Sequence, residues 1–449
     1  MSFDNDIRRY QGMGKVAMVP PMGWNSWDCY GAAVNEEQVR ANAAYMEKNL
    51  KEYGWEYVCV DIEWYQPTAD SHEYHAFAKL CMDEYGRLIP AENRFPSAAG
   101  GVGFKKLADD IHAMGLKFGI HIMRGIPRQA AEQNLPVLGS DQTAAQVANA
   151  HSICAWNPDM YGCRCEDNEE GARAYYNSIF RLYAEWGVDY VKCDDIAREY
   201  PQCRREIELI SEAARSCGRD IVLSLSPGPA PLEQAEHLKK YANLWRITDD
   251  FWDEWDLLKA MFERAEKWCI HAGPGHWPDA DMLPVGALKQ DYGAANWTKF
   301  TKDEQYTMMT LWCMMRSPLI VGAELTKNDD FTLGLLTNKE VLDIEKESFC
   351  AHPLYRTDEE CVWIAPRKDG TGVYAAFFNL ADAEGTSTNS SDLIKGNEAR
   401  SISLDLADWE LDEYTSAKEL WSGDEISLEG GKLSRSVNRH GTAVFFLGR

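Results

Sequence analysis

Over its first 345 or so residues the chain alternates eight short β-rich apolar runs with longer segments whose apolar residues fall three and four apart, and few architectures accommodate that alternation. The runs lie at 22–27, 58–64, 118–122, 189–194, 221–226, 244–247, 280–283 and 319–322. Helical stretches between them include 36–53, 104–114, 169–186, 206–217 and 302–315. Eight strands with intervening helices predict an α/β fold, a parallel (β/α)8 TIM barrel over 1–346. Beyond it the texture changes. Short alternating segments at 361–366, 372–379, 401–406 and 442–447 are separated by the turn-rich runs KDGTG, LADAEGTSTNSSD and LEGGK. They predict a C-terminal antiparallel β-sandwich domain over 347–449. A chain of 449 residues is also longer than one ordinary core requires.

Charge narrows the partners. With 71 acidic against 46 basic residues the formal net charge is −25, which disfavours nucleic acid and an anionic membrane surface. No run approaches the length of a membrane span, and MSFDNDIRRYQGMGK at the start carries no apolar signal core, so a cytoplasmic enzyme is expected. Thirteen cysteines cannot all pair internally, and no C-x2-C pair suggests zinc; reduced thiols are the simpler expectation. Sixteen Trp and twenty Tyr lean slightly toward carbohydrate, because aromatic faces pack on sugar rings as well as in cores.

In such a barrel, functional groups gather where strands end at the C-terminal face. The expected strand ends read Trp24-Asn25-Ser26-Trp27, Asp61-Ile62-Glu63-Trp64, Lys192-Cys193-Asp194-Asp195, Ser226-Pro227-Gly228 and Arg246 running into Thr248-Asp249-Asp250; the seventh run carries Asp279 and Asp281. Any one of these aspartates could simply cap a following helix. A rim that collects them from most strands fits sugar hydrolysis better, where one carboxylate attacks the anomeric carbon and a second carboxyl protonates the departing oxygen. Lys192 and Asp194, two apart on a strand, point to the same side, and the ammonium keeps the carboxylate ionised as a nucleophile must be. A phosphate-binding barrel would need a Gly-rich loop meeting a helix start, and GPGH at 273–276 is the nearest approach. A metal-dependent hydrolase would need His/Asp pairs at strand ends, where only His121 is found. Neither metal nor cofactor is therefore expected; the partner is an oligosaccharide or glycoside substrate, and a homo-oligomer is compatible with the sequence.

Four blocks carry a resemblance. PPMGWNSW at 20–27, WGVDYVKCDD at 186–195, WRITDD at 245–250 and AGPGHWPDADML at 272–283 occur in the order found in glycoside hydrolase family 27 of clan D, the α-galactosidase and α-N-acetylgalactosaminidase family, which the chain resembles. The resemblance implies a retaining exo-α-glycosidase, an α-galactosidase first of all, with Asp194 as nucleophile and Asp250 as acid/base about 5–5.5 Å apart. The Arg segment is shorter than is usual in the family, which leaves Asp249 as the alternative; the four-residue step from Arg246 favours Asp250. It further implies that Lys192 and Arg246 bind ring hydroxyls, Asp61 those at the far end of the sugar, Trp24 and Trp27 the wall of the site, and Asp281 and Met282 its rim.

Three departures bear on the substrate. Where the family has a second Asp after Asp61, this chain has Ile62, so one carboxylate for the 4- and 6-hydroxyls is missing; Glu63 would point to the opposite face on a regular strand. His121 stands where the family often has Tyr, and Ser226 where galactosidases tend to carry Glu-Trp. The resemblance thus leaves α-N-acetylgalactosaminidase, an isomalto-oligosaccharide-releasing glucanase and a transglycosylase as alternatives, the last because RITDDF is similar to a motif of raffinose-synthase-like enzymes. The intact Asp194 and Asp250 disfavour a sugar-binding barrel without activity.

Overall fold

The computed structural model describes residues 16–290, 296–382 and 399–449; the 1–15 stretch and most of the turn expected at 380–392 lie outside them. Eight parallel strands form the barrel: β1 (Met22–Asn25), β2 (Tyr57–Val60), β3 (Lys117–Met123), β4 (Tyr190–Asp194), β5 (Val222–Leu225), β6 (Leu244–Arg246), β7 (Trp277–Asp279) and β8 (Leu319–Val321). They are hydrogen-bonded in the order β7-β6-β5-β4-β3-β2-β1-β8. Leu283 closes the ring. Its N–H donates to Ile320 O at 2.8 Å, and the Gly322 N–H donates to Leu283 O at 3.1 Å.

The seventh strand differs from the expected 280–283: the regular strand is Trp277–Asp279, and only Leu283 of the later run joins the barrel. The reason is local. Asp281 has φ +82°, a left-handed conformation that interrupts any extended run and turns its carboxyl toward β6.

Helices α1 (Glu36–Asn49), α2 (Lys105–Ala113), α3 (Glu169–Trp186), α4 (Arg204–Ser216), α5 (Ala235–Tyr241), α6 (Trp255–Trp268), α7 (Lys302–Met315) and α8 (Lys339–Glu347) follow the strands in turn. Their ends are chemically marked. Asn35 with Gln38 and Thr301 with Glu304 form reciprocal capping boxes at α1 and α7, and Gly187 ends α3 at φ +84°. The helix expected over 36–53 stops at Asn49, because the chain tightens into the turn Lys51–Tyr53 and leaves through Gly54 at φ +99°.

Beyond α8 come β9 (His352–Arg356), β10 (Glu360–Pro366), β11 (Gly372–Asn379), β12 (Arg400–Asp405), β13 (Ser416–Glu419), β14 (Glu425–Ile426), β15 (Lys432–Val437) and β16 (Thr442–Gly448). One antiparallel sheet has the order β9-β10-β11-β16-β13-β14, and β12 pairs with β15. Strand alternation splits the larger sheet's side chains between two cores. Val362, Ile364, Val373, Ala375 and Phe377 meet Ile402, Leu404, Leu433 and Val437 inside the sandwich. Cys361, Trp363, Ala365, Tyr374, Ala376 and Phe378 join the barrel's core, with the Phe378 ring 4.9 Å from that of Phe262 on α6. The sandwich therefore buttresses the barrel through a shared apolar layer. None of the thirteen cysteines is joined in a disulfide. No helix among the described residues is long and apolar enough to cross a membrane.

Candidate active site

The C-terminal ends of β1, β2, β4 and β6, together with the turn after β7, surround a cavity of about 230 Å³. From β1 and β2, the Asn25 amide donates to Asp61 Oδ2 at 2.7 Å, and Ser26 Oγ accepts the Asp61 N–H at 2.9 Å. Lys192 Nζ on β4 reaches the same carboxylate at 3.2 Å. Burial opposes ionisation of Asp61, but the charges of Lys192 and then His121 hold it down at about 2. The aspartate thus remains a charged hydrogen-bond acceptor throughout the neutral range.

Asp194 ends β4. Its Oδ2 accepts from His121 Nε2 at 2.9 Å and its Oδ1 from the Asp195 N–H at 2.8 Å. Burial again works against the charge, while the His121 hydrogen bond and the Lys192 ammonium hold Asp194 below the usual carboxylate range. Across the cavity Arg246 of β6 bridges two carboxylates, with Nη1 at 2.7 Å from Asp281 Oδ1 and Nη2 at 3.1 Å from Asp250 Oδ1. Burial, opposed by Arg246 and reinforced by Asp250, pushes Asp281 up to about 6. Asp281 Oδ2 also accepts the Phe251 N–H at 2.7 Å, which ties the segment after Asp250 to the floor. The Asp250 side chain is 60 % exposed, at the open end of the cavity.

Of the residues expected from sequence, Trp27, Asp61, Lys192, Asp194, Arg246, Asp250, Asp281 and Met282 line this one cavity. Asp249 does not. It is held outside by a bidentate pair with Arg198, at 3.0 and 3.2 Å, so Asp250 is the member of the pair on the wall. Three expected residues stand elsewhere. Trp24 is fully buried behind the wall, its Nε1 donating to Ala323 O at 2.7 Å. His121 lies beneath Asp194 and touches its carboxylate. Ser226 is buried with its backbone carbonyl bonded to the N–H groups of Ile196 and Ala197, while Pro227 lines the cavity instead. Glu63, at φ +62°, turns away toward Asn157, and burial followed by the charge of Asp159 pushes it up to about 7.

Sequence reasoning missed Asp28, Tyr74, Trp156, Arg198, Phe251 and Trp252, all on the cavity wall. Tyr74 stacks on Trp27 with ring centroids 5.7 Å apart and planes 7° from parallel, and Trp156 follows at 5.1 Å from Tyr74. Asp28 was in reach, since it directly follows the WNSW motif; Tyr74 and Trp156 come from long loops with no pattern to mark them.

An aromatic-walled cavity with several carboxylates, a Lys and an Arg at the C-terminal mouth of a (β/α)8 barrel defines a glycosidase site. Residues 158–347 match the family described as Alpha galactosidase A, and 357–447 that described as Alpha galactosidase C-terminal beta sandwich domain. A GH27 β-L-arabinopyranosidase structure from Geobacillus stearothermophilus is 50 % identical, with 96 % of this chain and 97 % of that chain covered and a TM-score of 0.90. A putative α-N-acetylgalactosaminidase from Bacillus halodurans is 47 % identical, with 97 % and 99 % covered and a TM-score of 0.83. Among curated relatives, the α-galactosidase of Cyamopsis tetragonoloba is 26 % identical over 98 % of this chain and 89 % of its own. The chain belongs to glycoside hydrolase family 27 and is an α-galactosidase-like glycoside hydrolase.

Proposed function

We propose that this barrel is a retaining exo-glycosidase that releases one terminal pyranose of galacto configuration, with a β-L-arabinopyranosyl unit as the preferred glycone. Catalysis is assigned to the unit 1–346, and 347–449 is its buttress. Asp194 attacks the anomeric carbon while Asp250 gives its proton to the glycosidic oxygen, so the glycosidic bond breaks and a glycosyl ester forms. Asp250, now a carboxylate, takes a proton from water, whose oxygen attacks the same carbon and breaks the ester. Two inversions leave the configuration retained. Asp61 with Lys192 and Asp281 with Arg246 supply paired hydrogen-bonding groups on two sides of the ring.

One observation carries the choice of sugar: the residue after Asp61 is Ile62, buried and apolar, where a second carboxylate would accept the 6-hydroxyl of galactose. β-L-Arabinopyranose is α-D-galactopyranose without its hydroxymethyl group, so it asks for no such acceptor. The arabinopyranosidase similarity at 50 % identity supports the same reading. Leaving the 6-hydroxyl without that acceptor costs roughly 1–3 kcal/mol, about 5- to 150-fold in selectivity. α-D-Galactosides share the ring configuration and are the second substrate class, as the α-galactosidase relatives support. The test is kcat/KM on nitrophenyl β-L-arabinopyranoside, α-D-galactopyranoside, α-N-acetylgalactosaminide and α-glucoside. The arabinopyranoside is expected to lead the galactoside by about tenfold or more; a galactoside rate equal to or above it refutes the preference.

A further inference from the structure

Asp28 is the carboxyl of the cavity wall to which the mechanism gives no task. It follows Trp27 in the short helix Trp27–Tyr30 beyond β1 and is 2 % exposed, yet it lines the cavity. Its Oδ2 has no hydrogen-bond partner among the described residues. The barrel makes room for it: a Cβ on Gly322, just after β8, would lie 2.0 Å from Asp28 Oδ2 and 2.5 Å from Cγ. Asp28 Oδ2 is thus packed against the Gly322 backbone, and the exposure that the residue keeps is toward the cavity. Burial, and then the charge of Asp281, push Asp28 well above the usual carboxylate range, and Lys192 only partly offsets them. These influences favour the protonated carboxyl, which has one O–H to donate and a carbonyl oxygen to accept. A sugar hydroxyl offers the complementary pair of roles.

We propose that Asp28 is a specificity-determining residue whose carboxyl exchanges a hydrogen bond with one ring hydroxyl of the bound pyranose. The contact rests on the glycosidase reading above and adds to the cavity a carboxyl that senses the charges of Asp281, Lys192 and Asp61. A cycle between protein and substrate tests it. kcat/KM is measured for wild type and Asp28→Ala on the preferred nitrophenyl pyranoside and on its 2-deoxy, 3-deoxy and 4-deoxy analogues. The variant is expected to lose about 10- to 100-fold on the parent substrate, and at one ring position deoxygenation costs wild type about tenfold more than it costs the variant. Equal deoxygenation penalties in both proteins at all three positions overturn the contact. If Asp28→Ala melts well below wild type, Asp28→Leu, which fills the same space, carries the cycle with the same two outcomes. A wild-type enzyme that hydrolyses no nitrophenyl pyranoside overturns the glycosidase reading and this contact with it. An active wild type with equal penalties overturns the contact alone.

Discussion

His121 Nε2 lies 2.9 Å from Asp194 Oδ2, beneath the cavity floor and out of contact with solvent. A carboxylate only accepts, so the ring must donate from Nε2. Removing the donor leaves burial as the largest influence on Asp194, and its pKa rises. His121→Phe should therefore move the acid limb of the kcat/KM profile to higher pH and lower the rate at neutral pH by about 10- to 100-fold. His121→Gln, which keeps an N–H donor, should stay closer to wild type in both respects. An unmoved acid limb in His121→Phe would remove the histidine from control of the nucleophile.

Glu63 supplies a stability prediction of defined sign. Its folded value of about 7 lies above the ordinary glutamate value, so between the two the folded state holds a proton that the unfolded chain has lost. Stability contributed by this group is complete below the unfolded value and falls as pH rises through about 7. Wild type should melt several degrees higher near about pH 5 than near about pH 8, and Glu63→Gln should flatten that slope and melt higher than wild type at the alkaline end. Asp281, raised to about 6, acts in the same direction, so the difference between the two proteins is the readout for Glu63. Parallel melting curves across this range would count against it.

The barrel was legible because its two periods are strong: α3 and α7 span the residues their apolar spacing indicates, 169–186 and 302–315. β7 was misplaced because the left-handed turn at Asp281 is a tertiary choice, made to reach Arg246, that leaves no mark on a local apolar pattern. In the site, strand-end position found Asp61, Lys192, Asp194 and Arg246, which the barrel must aim at its axis. It could not separate Trp27, on the wall, from Trp24, three residues earlier and buried against Ala323. Tyr74 and Trp156 were beyond reach, since a loop residue is placed by what it packs on, and here that is Trp27 and each other.

Ile62 can be converted. Asp in its place restores a second carboxylate after Asp61, the group that the reading above assigns to the 6-hydroxyl of galactose. Ile62→Asp should raise the galactoside-to-arabinopyranoside ratio of kcat/KM by about 10- to 100-fold, with most of the gain on the galactoside. A ratio that stays at the wild-type value would mean that the preference is set elsewhere on the wall.

Asp194 and Asp250 make chemically different predictions. Alanine at either should cut kcat on a natural glycoside by at least about 10³-fold with the melting temperature little changed. Azide separates their roles. In Asp250→Ala a nitrophenyl leaving group departs unaided, Asp194 still forms the glycosyl ester, and azide then attacks from the opposite face, so the glycosyl azide keeps the substrate's configuration. In Asp194→Ala azide occupies the nucleophile's place and attacks once, so the glycosyl azide is inverted. Asp249, whose carboxylate is committed to Arg198 and does not line the cavity, should lose far less as Asp249→Asn than Asp250→Ala does. A loss at Asp249 as deep as that at Asp250, or a retained azide from Asp194→Ala, would reassign the pair.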